Sequence, residues 1–128
     1  PVFSSSIKLL QRLGAQSDLA VKLARERAKH AKHGALLAID GTEIPSASKN
    51  INLTALGKTK DGTFGTQINV SLLVDTQSGD AICYRAYAGN THDISTLDDN
   101  RALWDSIGLK NKHVTFAADR AYWSKEQA

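Results

Sequence analysis

The pattern of apolar and polar positions changes about a quarter of the way along the chain. Residues 17–33, SDLAVKLARERAKHAKH, place two leucines four apart among a row of alanines and end before Gly34, which predicts an amphipathic helix. A shorter helix is predicted over residues 7–13 and is expected to end at Gly14. From residue 35 onward, compact apolar runs alternate with turn residues, so the pattern favours strands.

Two of these apolar runs end in an aspartate. The run ALLAID predicts a buried strand that ends at Asp40, and the turn-rich segment GTEIPSASKN after it predicts a loop. The run HVTFAAD predicts a second strand that ends at Asp119. The residues that follow, RAYWSKEQA, predict the first turns of a helix.

A hairpin and a helix are predicted between these two strands. Residues 66–75 and 81–89 are apolar and β-branched and flank the turn segment TQSGD, which predicts an antiparallel hairpin. After GNTHD, apolar residues fall at helical spacing, and Thr91 or Asp93 is expected to cap that helix. Trp104 takes an apolar position of this helix and is expected in the core. The order of elements predicts an α/β fold.

The intervening hairpin and helix would return the second apolar strand to the side of the first, so that Asp40 and Asp119 lie at neighbouring strand ends. Two carboxylates at such a position repel each other unless a cation intervenes. Oxygen ligands of this kind suit Mg²⁺ or Mn²⁺, together with substrate phosphates. An aspartate after a strand also caps helices or begins turns, so a structural role for both stays open.

Histidine adds nothing to this metal hypothesis, because the four histidines lack the spacing of a ligand set. They are His30, His33, His92 and His113.

Basic residues are concentrated in residues 1–34. This segment holds seven Lys or Arg and two acidic residues, for a net charge of +5, whereas residues 35–128 carry −2. A basic segment before a mildly acidic body fits a protein that meets a polyanion such as DNA, although a solvated helix face has the same pattern. We therefore expect a basic helical segment over residues 1–34 and a core over residues 35–128.

The composition, with 41% apolar and 23% charged residues, is that of a globular protein. No apolar run approaches the roughly 20 residues that a membrane span needs, and we expect no membrane partner. The N-terminus has no visible secretory signal, and the single Cys83 favours a reducing compartment, so we expect a cytoplasmic protein. Because the chain starts at Pro1 and stops within its last predicted helix, we expect it to be part of a longer protein.

Three sequence blocks, in order, resemble the core of bacterial insertion-sequence transposases with a DDE site. They are LLAIDGTEI, INVSLLVDTQSGDAICYRAYAGNTHDISTL and VTFAADRAYWS, within residues 35–125. The middle block is the most specific, because its second strand runs into a Gly-Asn-Thr-x-Asp segment. The resemblance implies a ribonuclease H-like fold, a mixed sheet with flanking helices, that is incomplete at the C-terminus of this chain.

The resemblance also implies a chemistry. The parent protein would cut DNA at transposon ends and join it to target DNA by two-metal phosphoryl transfer. Asp40 would bridge two Mg²⁺ or Mn²⁺ ions and Asp119 would hold one of them. The family's third acid, usually Glu, lies on a later helix, and Glu126 follows Asp119 too closely to match. No third acid is therefore assigned, and this fragment is expected to be inactive by itself.

Partners are implied in the same way. The resemblance implies a homodimer in complex with DNA, associated with the nucleoid when bound. Four residues of the matching blocks are candidates for DNA contact: Asn90, His92, Arg120 and Tyr122. Capping by Asp93, a salt bridge from Arg120 and packing by Tyr122 are the structural alternatives.

Two other functions are weighed against this one. The DGT sequence is typical of phosphatases and phosphomutases that form an aspartyl-phosphate, but these need a second aspartate where Thr42 stands. A transposase-derived protein that binds DNA without catalysis would keep the fold and the basic segment. The unassigned third acid leaves that second alternative open.

Overall fold

The computed structural model describes residues 2–119, in which three helices and five strands alternate. The helices are α1 (Val2–Gly14), α2 (Leu19–His30) and α3 (Leu97–Ser106). The strands are β1 (Leu36–Pro45), β2 (Ala55–Lys58), β3 (Phe64–Asp75), β4 (Ala81–Ala88) and β5 (Thr115–Ala118). Two 3-10 turns, Asp93–Thr96 and Leu109–Lys112, precede α3 and β5.

The five strands form one mixed sheet around β1 and β3. Strand β1 pairs antiparallel with β3 on one side and parallel with β5 on the other. Strands β2 and β4 share the far edge of β3, where β2 takes its first four residues and β4 the rest. The predicted fold class, an α/β mixed sheet with flanking helices, is confirmed.

Strand β1 is longer than the sequence pattern predicts. It was expected to end at Asp40, but it continues to Pro45 because residues 41–45 pair with the first half of β3. Gly and Pro weaken the local preference for a strand, and pairing with a long neighbour overrides that preference. Asp40 therefore lies inside the central strand, and its predicted position at the end of a strand is wrong.

The hairpin of β3 and β4 is confirmed, and a second hairpin was missed. The turn between β3 and β4 uses Gly79 at φ 77°, while the carboxylate of Asp75 accepts from the backbone N–H of Gln77 at 2.8 Å. The missed hairpin joins β2 to β3 through Gly62, at φ 87°. Its Asp61-Gly62 pair is a common hairpin signal that could have found it.

One face of the sheet is covered by α2 and α3. Helix α2 buries Ala24 and Ala28, and α3 buries Trp104, whose ring stacks on Phe116 of β5 with centroids 4.3 Å apart. The core position predicted for Trp104 is confirmed, since its exposure is 2%. The buried apolar core consists of Ala24, Ala28, Ala31, Leu37, Ile39, Leu73, Ile82, Cys83, Leu97, Leu103, Trp104, Ile107 and Leu109.

The opposite face of the sheet is open. Leu36, Leu72 and Tyr84 are exposed on it, and Asp40 shares this face because it lies opposite Leu72. The described side chains of α1 are exposed as well. Within residues 2–119, no helix is long and apolar enough to cross a membrane.

Candidate active site

Asp40 and Asp119 lie side by side on neighbouring parallel strands. Ile39 of β1 is in register with Ala118 of β5, and each aspartate is the next residue of its chain segment. Residues in parallel register share a face, and adjacent strands lie about 4.8 Å apart. Both aspartates are exposed. The structure thus brings together the two carboxylates that the sequence pairs.

Asp93 is a further carboxylate near this pair. It is the first residue of the 3-10 turn before α3 and is partly buried. Burial raises the pKa of Asp93 above its ordinary value, and the negative charges of Asp40, Asp119 and Glu43 raise it further, while His92 opposes them. Like charges act on a pKa in this way only at short range. Asp93 therefore faces the same carboxylate-rich region as the aspartate pair.

The predicted cap is absent from this turn. Asp93 or Thr91 was expected to cap the helix, but the residues that precede the 3-10 turn and α3 are His92 and Thr96, and neither makes a side-chain capping hydrogen bond. The 3-10 turn inserts four residues before α3, so the positions of both predicted caps fall outside its first α-helical turn. The prediction of a capping role is wrong for both residues.

The backbone before Asp93 crosses close to the sheet. A Cβ atom on Gly89 would lie 2.0 Å from the carbonyl oxygen of Gln67 and 2.6 Å from that of Ala55, so only glycine fits there. The amide of Gly89 donates to the carbonyl oxygen of Leu53 at 3.0 Å. This contact gives a physical reason for the glycine of the Gly-Asn-Thr-x-Asp segment.

Three polar side chains on one face of β3 hold the same segment. Gln67 Nε2 donates to the carbonyl oxygen of Gly89 at 3.1 Å, and Asn69 Nδ2 donates to that of Thr91 at 2.7 Å. Ser71 Oγ donates at 3.0 Å to Asn100 of α3. These bonds fix residues 89–100 against the centre of the sheet, and with them the position of Asp93.

Beside this segment lies a cavity of about 260 Å³. Its lining includes Glu43 of β1, Asn69 of β3, His92 and Asp93. The carboxylate of Glu43 accepts a hydrogen bond of 2.5 Å from the backbone N–H of Lys60, which ties the β2–β3 hairpin to β1. The cavity is therefore polar and adjoins the carboxylate-rich region.

The family model described as transposase DDE domain matches residues 32–128, about three quarters of the chain. The chain belongs to this transposase DDE family. No curated protein and no solved structure matches the chain. The mixed sheet of this DDE domain is consistent with the ribonuclease H-like fold that the sequence blocks imply. The family match also favours a transposase over an aspartyl-phosphate enzyme.

The DDE family uses divalent metal ions and acts on DNA. Among residues 2–119, no group of three His, Cys, Asp or Glu side chains could hold a metal ion alone. Paired carboxylates nevertheless suit Mg²⁺, which is usually held by one or two carboxylates with water and substrate phosphate. The chemistry of Asp40 and Asp119 therefore fits part of a metal site in this DDE domain.

The other predicted site residues divide into two groups. Asn90 and His92 are exposed beside the carboxylates, so both are accessible to a ligand. Arg120 and Tyr122 lie outside the described residues, as does Glu126. Sequence reasoning did not single out Asp93 as part of the carboxylate group, nor Gln67, Asn69 and Ser71 as its support. The alternation of polar and apolar residues in QINVSL was the signal for the support.

Proposed function

We propose that this DDE domain is part of the catalytic core of a transposase that cuts DNA at transposon ends and joins it to target DNA. Asp40 and Asp119 are its metal ligands in this proposal, with two Mg²⁺ or Mn²⁺ ions in the complete site. The observation that carries the proposal is the adjacent placement of Asp40 and Asp119 within a chain that matches the transposase DDE domain. Metal ions bound there would activate water or a DNA 3′-hydroxyl and stabilise the leaving oxygen.

Asp40 supplies the rigid side of the site. Its strand is hydrogen-bonded to β3 along nine residues, from Leu37 to Pro45, and to β5 along four. Such a central position holds the carboxylate in place without help from a ligand. Asp119 directly follows β5, where the chain leaves the sheet, so its position depends on the short pairing of β5 with β1.

Asp93 adds negative charge to this site. It faces Asp40 and Asp119 from the segment held by Asn69, and it is partly buried. The closely placed carboxylates repel one another, and a divalent cation would relieve that repulsion. We infer that Asp93 increases the affinity of the site for cations by its charge, whereas Asp40 and Asp119 bind them directly.

The remaining parts of the proposal concern partners. Asn90, His92, Arg120 and Tyr122 contact DNA beside the carboxylates, and the active form is a homodimer on DNA in the bacterial cytoplasm. Residues 1–34 form a basic segment that meets the DNA, and residues 35–128 form the catalytic part. The chain of 128 residues does not cleave DNA alone, because it supplies no third acid of the expected spacing.

The test uses the intact parent protein and DNA that carries its own element ends. With Mg²⁺, the unaltered protein should cut and transfer these ends, whereas Asp119→Asn should bind them without cutting. Asp80→Asn is the matched control, because Asp80 is an exposed aspartate of the β3–β4 turn. Full cleavage and strand transfer by Asp119→Asn would refute the assigned role. Binding without cleavage by the unaltered protein would favour the non-catalytic alternative.

A further inference from the structure

Helix α2 carries two parallel rows of residues with different properties. Ala24 and Ala28 are buried against the sheet. Arg25 and Lys29 each follow one of these alanines, and both are exposed. Because residues four apart lie on the same side of a helix, the two cations form a row beside the buried one. The helix therefore packs on the sheet while presenting positive charge along the edge of the packing.

This basic row borders a cavity of about 270 Å³ between α2 and the end of α3. Three cationic residues line the cavity, Arg25, Lys29 and Lys112, together with Ser106 and Gly108 at the end of α3. No acidic residue is among those that line it. A concave site with three cations and no carboxylate attracts anions.

The three cations differ in how they are held. Lys112 Nζ donates to the carbonyl oxygens of Lys29, at 2.7 Å, and Ala31, at 2.6 Å, so it is fixed at the end of α2. Lys29 pairs with Glu26 at 2.5 Å, but both side chains are 63% exposed, and such pairs contribute little. Arg25 forms no ion pair within the described part of the chain. Arg25 and Lys29 can therefore turn to an incoming anion.

We propose that this groove, formed by Arg25, Lys29, Lys112 and Ser106, binds a phosphate of the DNA backbone. The proposal rests on the proposed function, which makes DNA the partner. Arginine matches phosphate geometry with two parallel hydrogen bonds, and Lys29 adds a point charge. The phosphate held there neutralises positive charge that the protein leaves uncompensated among the lining residues.

The groove is separate from the carboxylates. It lies where β1 and β5 begin, because Lys112 closely precedes β5 and holds the segment that leads into β1. From Leu36 to Asp40 the strand rises about 13 Å, which corresponds to about four base pairs of a duplex. The groove would therefore hold DNA several base pairs from the cut and set the position of the duplex, without touching the reacting phosphate.

The experiment measures binding of a fluorescein-labelled 20-base-pair duplex of arbitrary sequence by fluorescence anisotropy. The chain is titrated in EDTA over a series of salt concentrations, so that no divalent metal contributes. The double variant Arg25→Gln/Lys29→Gln should bind roughly 10-fold more weakly, and the slope of log K against log salt should decrease by about 1.8. The control is Lys8→Gln/Arg12→Gln, which removes the same two charge types from the exposed helix α1.

Equal loss of affinity in both double variants would overturn the proposal, because binding would then be diffuse. Unchanged affinity in Arg25→Gln/Lys29→Gln would overturn it as well, as would an unaltered chain that does not bind the duplex. Circular dichroism checks that the variants fold, which is expected because both positions are exposed. Metal-free binding does not involve the carboxylates, so failure here leaves the test of Asp119 in the proposed function unaffected.

Discussion

Ser71 and Asn100 form a buried hydrogen bond of 3.0 Å that joins the centre of β3 to α3. Asn100 also donates from Nδ2 to the carbonyl oxygen of Thr96 at 3.0 Å, so one amide links the sheet, the helix and the turn that contains Asp93. This link explains why polar residues occupy the middle of an otherwise apolar strand. They attach the segment from Gly89 to α3 to the sheet.

Replacing Asn100 by alanine should destabilise the fold. The change leaves the Ser71 hydroxyl and the Thr96 carbonyl buried without this partner, and an unsatisfied buried group costs about 1–3 kcal/mol. The free energy of unfolding in urea measures the effect. Asn111→Ala, at an exposed position, is the control and should change stability little. Equal stability of the two variants would show that the bond contributes nothing.

Gly89→Ala should destabilise the chain more strongly. The added methyl group would lie 2.0 Å from the backbone oxygen of Gln67, so the strands or the segment must move apart, at roughly 3 kcal/mol or more. Gly14→Ala is the matched control, because a Cβ atom there meets nothing within 4 Å. Urea midpoints of the two variants decide the matter. A Gly89→Ala variant as stable as Gly14→Ala would contradict the close approach.

Asp93→Asn should stabilise the metal-free chain at neutral pH. Burial and the charges of Asp40, Asp119 and Glu43 raise the pKa of Asp93 in the folded state, with His92 acting against them. Ionised Asp93 therefore opposes folding. This effect is absent below pH 3.8, the ordinary pKa of the group, and is fully present above its folded-state pKa. The gain in stability from Asp93→Asn should thus be present at pH 7 and vanish as the pH falls below 3.8.

Unfolding in urea with EDTA, repeated at several pH values, measures this gain. Asp105→Asn removes the same charge from an exposed position of α3 and should show no comparable dependence on pH. A loss of stability in Asp93→Asn at pH 7 would be inconsistent with repulsion among the carboxylates.

Local sequence patterns predicted the elements that depend on local signals. The hairpin of β3 and β4 followed from two apolar runs around TQSGD, and the core position of Trp104 followed from helical spacing. The side-by-side placement of Asp40 and Asp119 followed from the order of elements, since a strand returned by a hairpin and a helix lies beside the first.

Features that depend on distant partners could not be predicted. The extension of β1 beyond Asp40 needs the first half of β3 as its partner, and GTEIP gives no local indication of it. The position of Asp93 depends on bonds from β3 across about 20 residues of chain, as that from Asn69 to Thr91 shows. A local pattern suggests a helix cap at Asp93, whereas the tertiary contacts direct it toward the carboxylates.

Binding of Mn²⁺ by the 128-residue chain tests the central claim most directly, that Asp40 and Asp119 form a shared metal site. Electron paramagnetic resonance reports free Mn²⁺ during a titration. The unaltered chain should bind Mn²⁺ weakly, Asp40→Asn and Asp119→Asn should bind it at least roughly 10-fold more weakly, and Asp80→Asn should match the unaltered chain. Equal Mn²⁺ affinity in all four proteins would contradict the claim.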